Sequence, residues 1–523
     1  MALIVLTVLL VVVVLLYKLS MCPYKIFKER GIVHEPPRPF IGNVKIGVLL
    51  GRTPLLKMLI DEYCVFRHHK IHGFYNMREP FFVLHDVELI KRVGIQHFDN
   101  FTNHRSLMAI DYIDSIFAKG LTALKDDKWR KMRNTLTPCF TGSKLKAMFE
   151  LINECSVEGV RYIECELRGA NTNEIELEMK DYFGRFANDV IASSAFGLKV
   201  NSFAHQKNQF YTLGQSVLHI SRLAMFKVFL YGIIPNVMKC LRVKVFDSRK
   251  VNYFINLVFD AMKYRAEHKI IRPDMIHLLM EAKRQFQQHR QNEIPPKSGE
   301  EQAEFNDEDL LAQCLLFFMV GFDVISTCLC FLTYELCMNQ EVQSKLYDEI
   351  SSVEEELQGK PLNYNMLAKM KYMDSVISES LRLWPPAFTL DRECGKDIDM
   401  FDENNELIVK FKKGDIINIP IIALHRDPHY FKDPELFSPE RFSDENKGNI
   451  KPFTYLPFGL GPRGCIGNRM ALMEVKSIIY HLVSKFKLVP AKKTVKNMMQ
   501  SLNGFHMQPK EKFWIRFVTR EGA

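Results

Sequence analysis

Apolar residues run unbroken from 2 to 17 apart from Thr7, and the run stops at Lys18. As helix, such a run reaches about 24 Å, short of a bilayer core of about 30 Å. Lys18 can snorkel, however, so that 19–22 extend the span. A secretory signal carries positive charge ahead of its apolar run and a small-residue cleavage site behind it; here Lys18, Lys25, Lys28 and Arg30 all follow the run. The pattern predicts an uncleaved single-pass anchor over 1–22, with the terminus outside and the body in the cytosol. Three prolines within 36–39 then forbid helix and stiffen the chain. Residues 23–43 therefore read as a basic, proline-rich linker and 44–523 as the body.

Helical periodicity dominates from about 125 to 390. One helix opens over 127–132. A long apolar one spans 309–332, its start marked by Asp307, Glu308 and Asp309, which suit a helix N-terminus. Between them, 288–306 carries Pro295-Pro296 and many charges and reads as an exposed loop. Strand-like runs stand at 81–84, 407–411 and 513–517. No repeat divides the chain. The expectation is a mainly α body with small β-sheets, one domain of unusual size.

Composition changes this picture little. Apolar residues are 47 % and the net charge is +9 over 523 residues, which a solvated surface absorbs. Lysine and arginine are scattered rather than massed, so nucleic acid is excluded as a partner. The twelve cysteines have no regular spacing and no Cys-x-x-Cys, against a disulfide scaffold or zinc ribbon. Most should be small buried hydrophobes in a reducing compartment.

Cys465 differs. It stands in Phe458-Gly459-Leu460-Gly461-Pro462-Arg463-Gly464-Cys465-Ile466-Gly467, a glycine-rich loop ahead of a helix beginning near Asn468. The glycines permit tight turns and close approach of backbone to a flat ligand. A helix N-terminus and Arg463 favour the thiolate. The bland alternative, a buried structural cysteine in a turn, is the commoner fate of a lone Cys.

That loop resembles the haem-binding signature of the cytochrome P-450 family, Phe-x-x-Gly-x-Arg-x-Cys-x-Gly, with Phe458, Gly461, Arg463, Cys465 and Gly467 in register. Three further segments resemble the family in its usual order. Glu379-Ser380-Leu381-Arg382 is similar to its Glu-x-x-Arg, and Pro439-Glu440-Arg441-Phe442 to the segment whose arginine completes a buried cluster, implying a structural trio of Glu379, Arg382 and Arg441. Trp129-Arg130-Lys131-Met132-Arg133 resembles its Trp-x-x-x-Arg. By resemblance, Cys465 is the axial ligand of haem b iron, and Trp129, Arg133, Arg463 and Arg392 bond the propionates. Residues 101–105 and 136–145 resemble the clan holding vertebrate drug oxidisers and insect detoxification enzymes, nearest an insect microsomal branch. The implied fold is a single large helical haem-thiolate monooxygenase fold with an N-terminal transmembrane anchor.

In the long helix, Gly321 and Asp323 match the family's Ala/Gly-Gly-x-Asp/Glu-Thr, but Val324 stands at the threonine whose hydroxyl helps deliver protons for O–O cleavage. Asp323 and Gly321 are the catalytic candidates there, with Thr327 a replacement about 4.5 Å further along the helix; an ordered water is another. By family position, the pocket draws on 105–124, 316–323, 386–390 and 502–506, with Ile113, Ile116, Phe117, Phe318, Phe322, Ala387, Phe388 and Phe505 its apolar members. Two readings stay open: NADPH- and O2-dependent hydroxylation of lipophilic xenobiotics such as insecticides or plant toxins, or of an endogenous hormone or lipid; and isomerisation or dehydration of an already oxygenated lipid. A ligand-binding sensor without turnover is a third class.

No Rossmann or flavin motif is present, so electrons must come from outside. The resemblance implies NADPH–cytochrome P-450 reductase carrying the NADPH and flavins, with cytochrome b5 as a second donor. Lys125, Lys128, Arg130, Lys131 and Arg469 form the expected docking patch. The resemblance and the anchor together imply the cytosolic face of the endoplasmic reticulum membrane. Residues 222–238 are apolar enough to dip into that membrane or to be plain core.

Overall fold

Why the chain folds around one helix is visible in the computed structural model, which describes residue 6 and residues 21–105, 115–218, 222–245, 248–272, 274–291, 305–504 and 506–520. The elements are α1 Leu55–Phe66, the hairpin β1 Ile71–Asn76 and β2 Glu79–Leu84, α2 Asp126–Leu136, α3 Gly142–Ala170, β3 Glu174–Glu178 and α4 Met179–Ser194. Next come α5 Gln209–Leu218, α6 Arg222–Ile233, α7 Ser248–His268, α8 Met275–Gln291, α9 Asp307–Met338, α10 Gln340–Leu357 and α11 Lys371–Leu383. The C-terminal third adds β4 Leu390–Glu393, β5 Ile398–Phe401, β6 Leu407–Phe411, β7 Ile416–Ile419, α12 Asn468–Lys485, β8 Phe486–Pro490, β9 Leu502–Asn503, β10 His506–Pro509 and β11 Trp514–Thr519. Four sheets result: β1-β2-β7-β4, β3-β11-β8 and the pairs β5-β6 and β9-β10.

α9 is apolar nearly all round, as a helix crossing the middle of a core must be. Its start is a capping box: Asn306 Oδ1 accepts from Asp309 N–H, and Asp309 Oδ2 accepts from Asn306 N–H, both at 3.0 Å. Among the described residues it is the one helix long and apolar enough to cross a membrane, yet its C-terminal half is buried inside the body. It extends well past the predicted 309–332 at its C-terminal end. α8 reaches Gln291, so 288–291 is helix rather than loop; 292–304 lies outside the described residues, as does the predicted anchor apart from Leu6 and its last two residues.

The expected linker is not a free tether. Phe27 is fully buried against β1, where a side chain on Gly73 would stand 2.4 Å from its ring. Tyr24 packs edge-on to Tyr75 at 4.8 Å, and Arg30 pairs with Asp415. Aromatic residues between the basic ones therefore dock 24–34 onto the first sheet, a signal the charge count concealed.

A second anchor lies at the C-terminal end of α11. Arg382 bonds Glu379 bidentately at 2.7 and 2.8 Å and donates to the His425 carbonyl at 2.8 Å. Ser438 N–H donates to Glu379 Oε1 at 2.9 Å and Arg441 Nε at 3.3 Å. Glu379 and Arg382 are fully buried, so each is tolerable only with the other. Replacing Glu379 with Gln strands a buried cation and is expected to cost about 3–5 kcal/mol; Arg441→Ala, at a partly exposed site, is expected to cost less. The urea unfolding midpoints of the two variants measure the difference.

Candidate active site

The loop before α12 is shaped by its glycines. Gly459 and Gly461 have φ of +79° and +67°, and a Cβ on Gly461 would lie 2.1 Å from the Gly94 carbonyl oxygen. Cys465 N–H donates to the Phe458 carbonyl at 2.8 Å, and Gly464 N–H to that of Gly461 at 2.8 Å. The Gly467 backbone N–H and the Arg133 cation of α2 are the groups that lower the thiol's pKa. Cys465 is open to solvent along one side while protein surrounds the rest. Burial outweighs the N–H and Arg133, leaving the thiol above its ordinary value. The cation acting on the sulfur is thus Arg133 and not the expected Arg463.

Arg463 points elsewhere. Its guanidinium lies 4.1 Å over the Trp129 ring and donates to the carbonyls of Thr102 (2.8 Å), Leu121 (3.2 Å) and Leu124 (2.7 Å). It locks the cysteine loop to α2 and the segments flanking 105–120. Arg392 of β4 is 1 % exposed, donates to the carbonyls of Asp391 (2.7 Å) and Leu460 (3.1 Å), and has its Nε buried without a partner among the described residues. Burial, then Arg392 and Arg133, push Arg463 down to about 9; burial pushes Arg392 down to about 10. Asp126 and Asp391 act in the opposite sense without lifting Arg463 back. Two buried guanidinium groups, with the half-buried Arg133 acting on one of them, thus gather with too little negative charge beside them. A flat dianion with two carboxylates and a metal facing the sulfur is what such a set fits, and haem has that form.

On the distal helix α9, one residue unsuspected from sequence organises the candidates. Lys180, in the first turn of α4, donates to Asp323 Oδ1 (2.9 Å), Ser326 Oγ (2.9 Å) and Thr327 Oγ1 (2.6 Å). Asp323, Ser326 and Thr327 share a face at i, i+3 and i+4; only a lysine from another helix could reveal the grouping. Gly321 serves helix approach: a Cβ there would stand 2.6 Å from Ile191 Cδ1 of α4. Val324 is half-buried and Val320, one turn back on the same face, is 45 % exposed.

The pocket expectations divide. Phe318 and Phe322 are buried in an aromatic cluster, Phe318 at 4.5 Å from Phe254 and 5.6 Å from Phe210, Phe322 at 6.0 Å from Tyr211. They are core beneath α5 and α7, because helical spacing does not distinguish core from cavity. Phe388 lines a cavity of about 1690 Å3 that runs between the first sheet and α6. Ala387 is exposed, and Ile116 and Phe117 are half-buried against the main core. Ile113 and Phe505 lie outside the described residues. Of the basic patch, Lys125 pairs with Glu393 (2.7 Å) and Arg130 with Asp99 (2.7 Å); Lys128, Lys131 and Arg469 are exposed.

Comparison with known proteins agrees with this geometry. The cytochrome P450 family profile matches residues 34–516. Probable cytochrome P450 9h1 of Drosophila melanogaster is 50 % identical over 513 residues, 98 % of each chain. Cytochrome P450 9e2 of Blattella germanica is 39 % identical, covering 97 % of this chain and 96 % of its own. Lithocholate 6-beta-hydroxylase of Mesocricetus auratus is 32 % identical, covering 97 % and 95 %. The chain belongs to the cytochrome P450 family of haem-dependent monooxygenases, and its high identity is with insect members.

Gly461→Ala is expected to prevent the loop from closing, because both the positive φ and the Gly94 carbonyl oppose a Cβ. Gly467→Ala, with its nearest neighbour at 3.7 Å, should be tolerated. The fraction of purified chain giving a thiolate-type reduced carbonyl spectrum separates the two.

Proposed function

We propose that this protein is a haem-thiolate monooxygenase of the endoplasmic reticulum that hydroxylates lipophilic small molecules, xenobiotics among them. The observation that carries it is the Cys465 loop set against the crowded arginines. Cys465 would hold the iron, Arg133, Arg392 and Arg463 the propionates, and Trp129 the ring under Arg463. When bound, the haem supplies oxygen activation, with electron density pushed from the thiolate. Electrons would come from an NADPH-dependent flavin reductase, with cytochrome b5 as a second donor, through the exposed Lys128, Lys131 and Arg469. Arg392→Met is expected to hasten haem loss several-fold, read as the rate of haem transfer to apomyoglobin.

Proton supply falls to the residues around Val324, which keeps the shape of a threonine and donates nothing. The Asp323 carboxylate is exposed enough to take a proton from solvent, and the Lys180 ammonium fixes one of its oxygens. Thr327 Oγ1, held by the same ammonium, and an ordered water complete a path that avoids position 324. The competing reading, rearrangement of an oxygenated lipid, needs no NADPH. In reconstitution with reductase, wild type should form product with NADPH consumed in excess and peroxide released. Val324→Thr should lower NADPH used per product, and Asp323→Asn should slow turnover about tenfold or more. Product without NADPH consumption would decide for the rearrangement.

The anchor and the exposed apolar residues of α6 and of the short helix Pro235–Cys240 with its cap, Leu223, Phe226, Val237 and Leu241, support a body lying on the membrane with the cavity beside α6 open toward it.

A further inference from the structure

The cavity beside α6 carries several charges, and all those with described side-chain partners but one are answered. Arg105 pairs with Glu79 at 2.8 Å, Lys125 with Glu393 at 2.7 Å, and Asp391 takes His104 at 3.4 Å and the Arg105 N–H at 2.7 Å. Arg78 donates to the Ile233 carbonyl at 3.1 Å. The exception is Glu62 of α1, 11 % exposed, whose ion-pair-range contact among the described residues is His72 Nε2 at 3.1 Å.

His72 is no counter-charge. It is 1 % exposed, stacks on Phe66 at 4.5 Å, and lies 2.6 Å from His85 Nε2 through its Nδ1. Burial and the neighbouring His85 hold it neutral, far below the ordinary imidazole range. His85 Nδ1 is buried with no partner among the described residues, so a proton there would be stranded. His85 therefore donates from Nε2 to His72, and His72 from Nε2 to Glu62. The relay leaves Glu62 Oε1 as acceptor and Oε2 for a visitor. Burial and Glu35 push this carboxyl up to about 8, with Lys45 the opposing cation at longer range. An isolated carboxyl in an apolar cavity either keeps its proton or takes a cation. Aromatic residues of the same cavity, Tyr63, Phe74, Phe229 and Phe388, are of the kind that holds alkylammonium groups by cation–π attraction, as Phe81 already holds the Arg105 guanidinium at 4.7 Å.

We infer that Glu62 is a recognition point for lipophilic amines, holding a substrate's ammonium group at the cavity wall while its apolar remainder extends toward Phe388. The inference rests on the reading that this cavity admits substrate. Decanoylcholine, whose quaternary nitrogen cannot ligate iron, and its neutral isostere 3,3-dimethylbutyl decanoate distinguish the two claims when titrated into the full-length haem-loaded protein by Soret shift and Trp fluorescence. Wild type should bind the cation about tenfold or more tightly than the isostere. Glu62→Gln should abolish that preference by weakening the cation alone, and Lys45→Met, which leaves the relay intact, should tighten the cation alone. Should Glu62→Gln fail to fold, the wild-type ratio and Lys45→Met still decide. Equal binding of both compounds by wild type, or parallel shifts of both in the variants, overturns the inference while the substrate cavity stands. Failure of both compounds to bind overturns the cavity reading and the inference with it.

Discussion

Two guanidinium groups buried away from water, with a third half-buried beside them, are the constraint on which the rest of this protein turns. Like charges in a low dielectric repel, and burial alone already disfavours each. The fold accepts this by giving Arg463 three carbonyls and an indole, and Arg392 two carbonyls. Apart from that of Asp391, beside Arg392 itself, those carbonyls lie on distant segments, so gathering the cations also cross-links the chain. The cysteine loop, β4, α2 and the turns at 102 and 121–124 are fixed relative to one another by these donors.

The same economy governs α9. Its apolar surface makes it the axis of the core, and its polar side chains are served by its own carbonyls or from another helix. Lys180 serves three at once. The distal helix is thereby tied to α4 by a polar contact on one face and by Gly321 against Ile191 on another, and Val324 is the position left with neither duty.

Much of this was legible in the sequence. The spacing of Phe458 to Gly467 defined the loop, and Glu379 and Arg382, three apart on a helix, fall on one face within reach of each other. Long apolar periodicity located α9, and β-branched and aromatic runs located β2, β6 and β11. What sequence withheld were relations between distant segments. Arg463 and Trp129 are both visible in motifs, but their stacking is not, and it redirects the arginine from sulfur to backbone. Phe318 and Phe322 have the spacing of pocket residues, and only the placement of α5 and α7 turns them into core. Lys180 and Glu62 bear no motif at all; each matters through what the fold brings beside it.

Phe27 under β1 has a consequence for handling the molecule. The first sheet forms one wall of the cavity beside α6, and Phe27, Tyr24 and Arg30 are tacked to that sheet like a hem to cloth. A shortened chain for crystallisation therefore has a natural cut before Tyr24. A cut placed at the proline elbow instead would peel away the backing of that cavity wall.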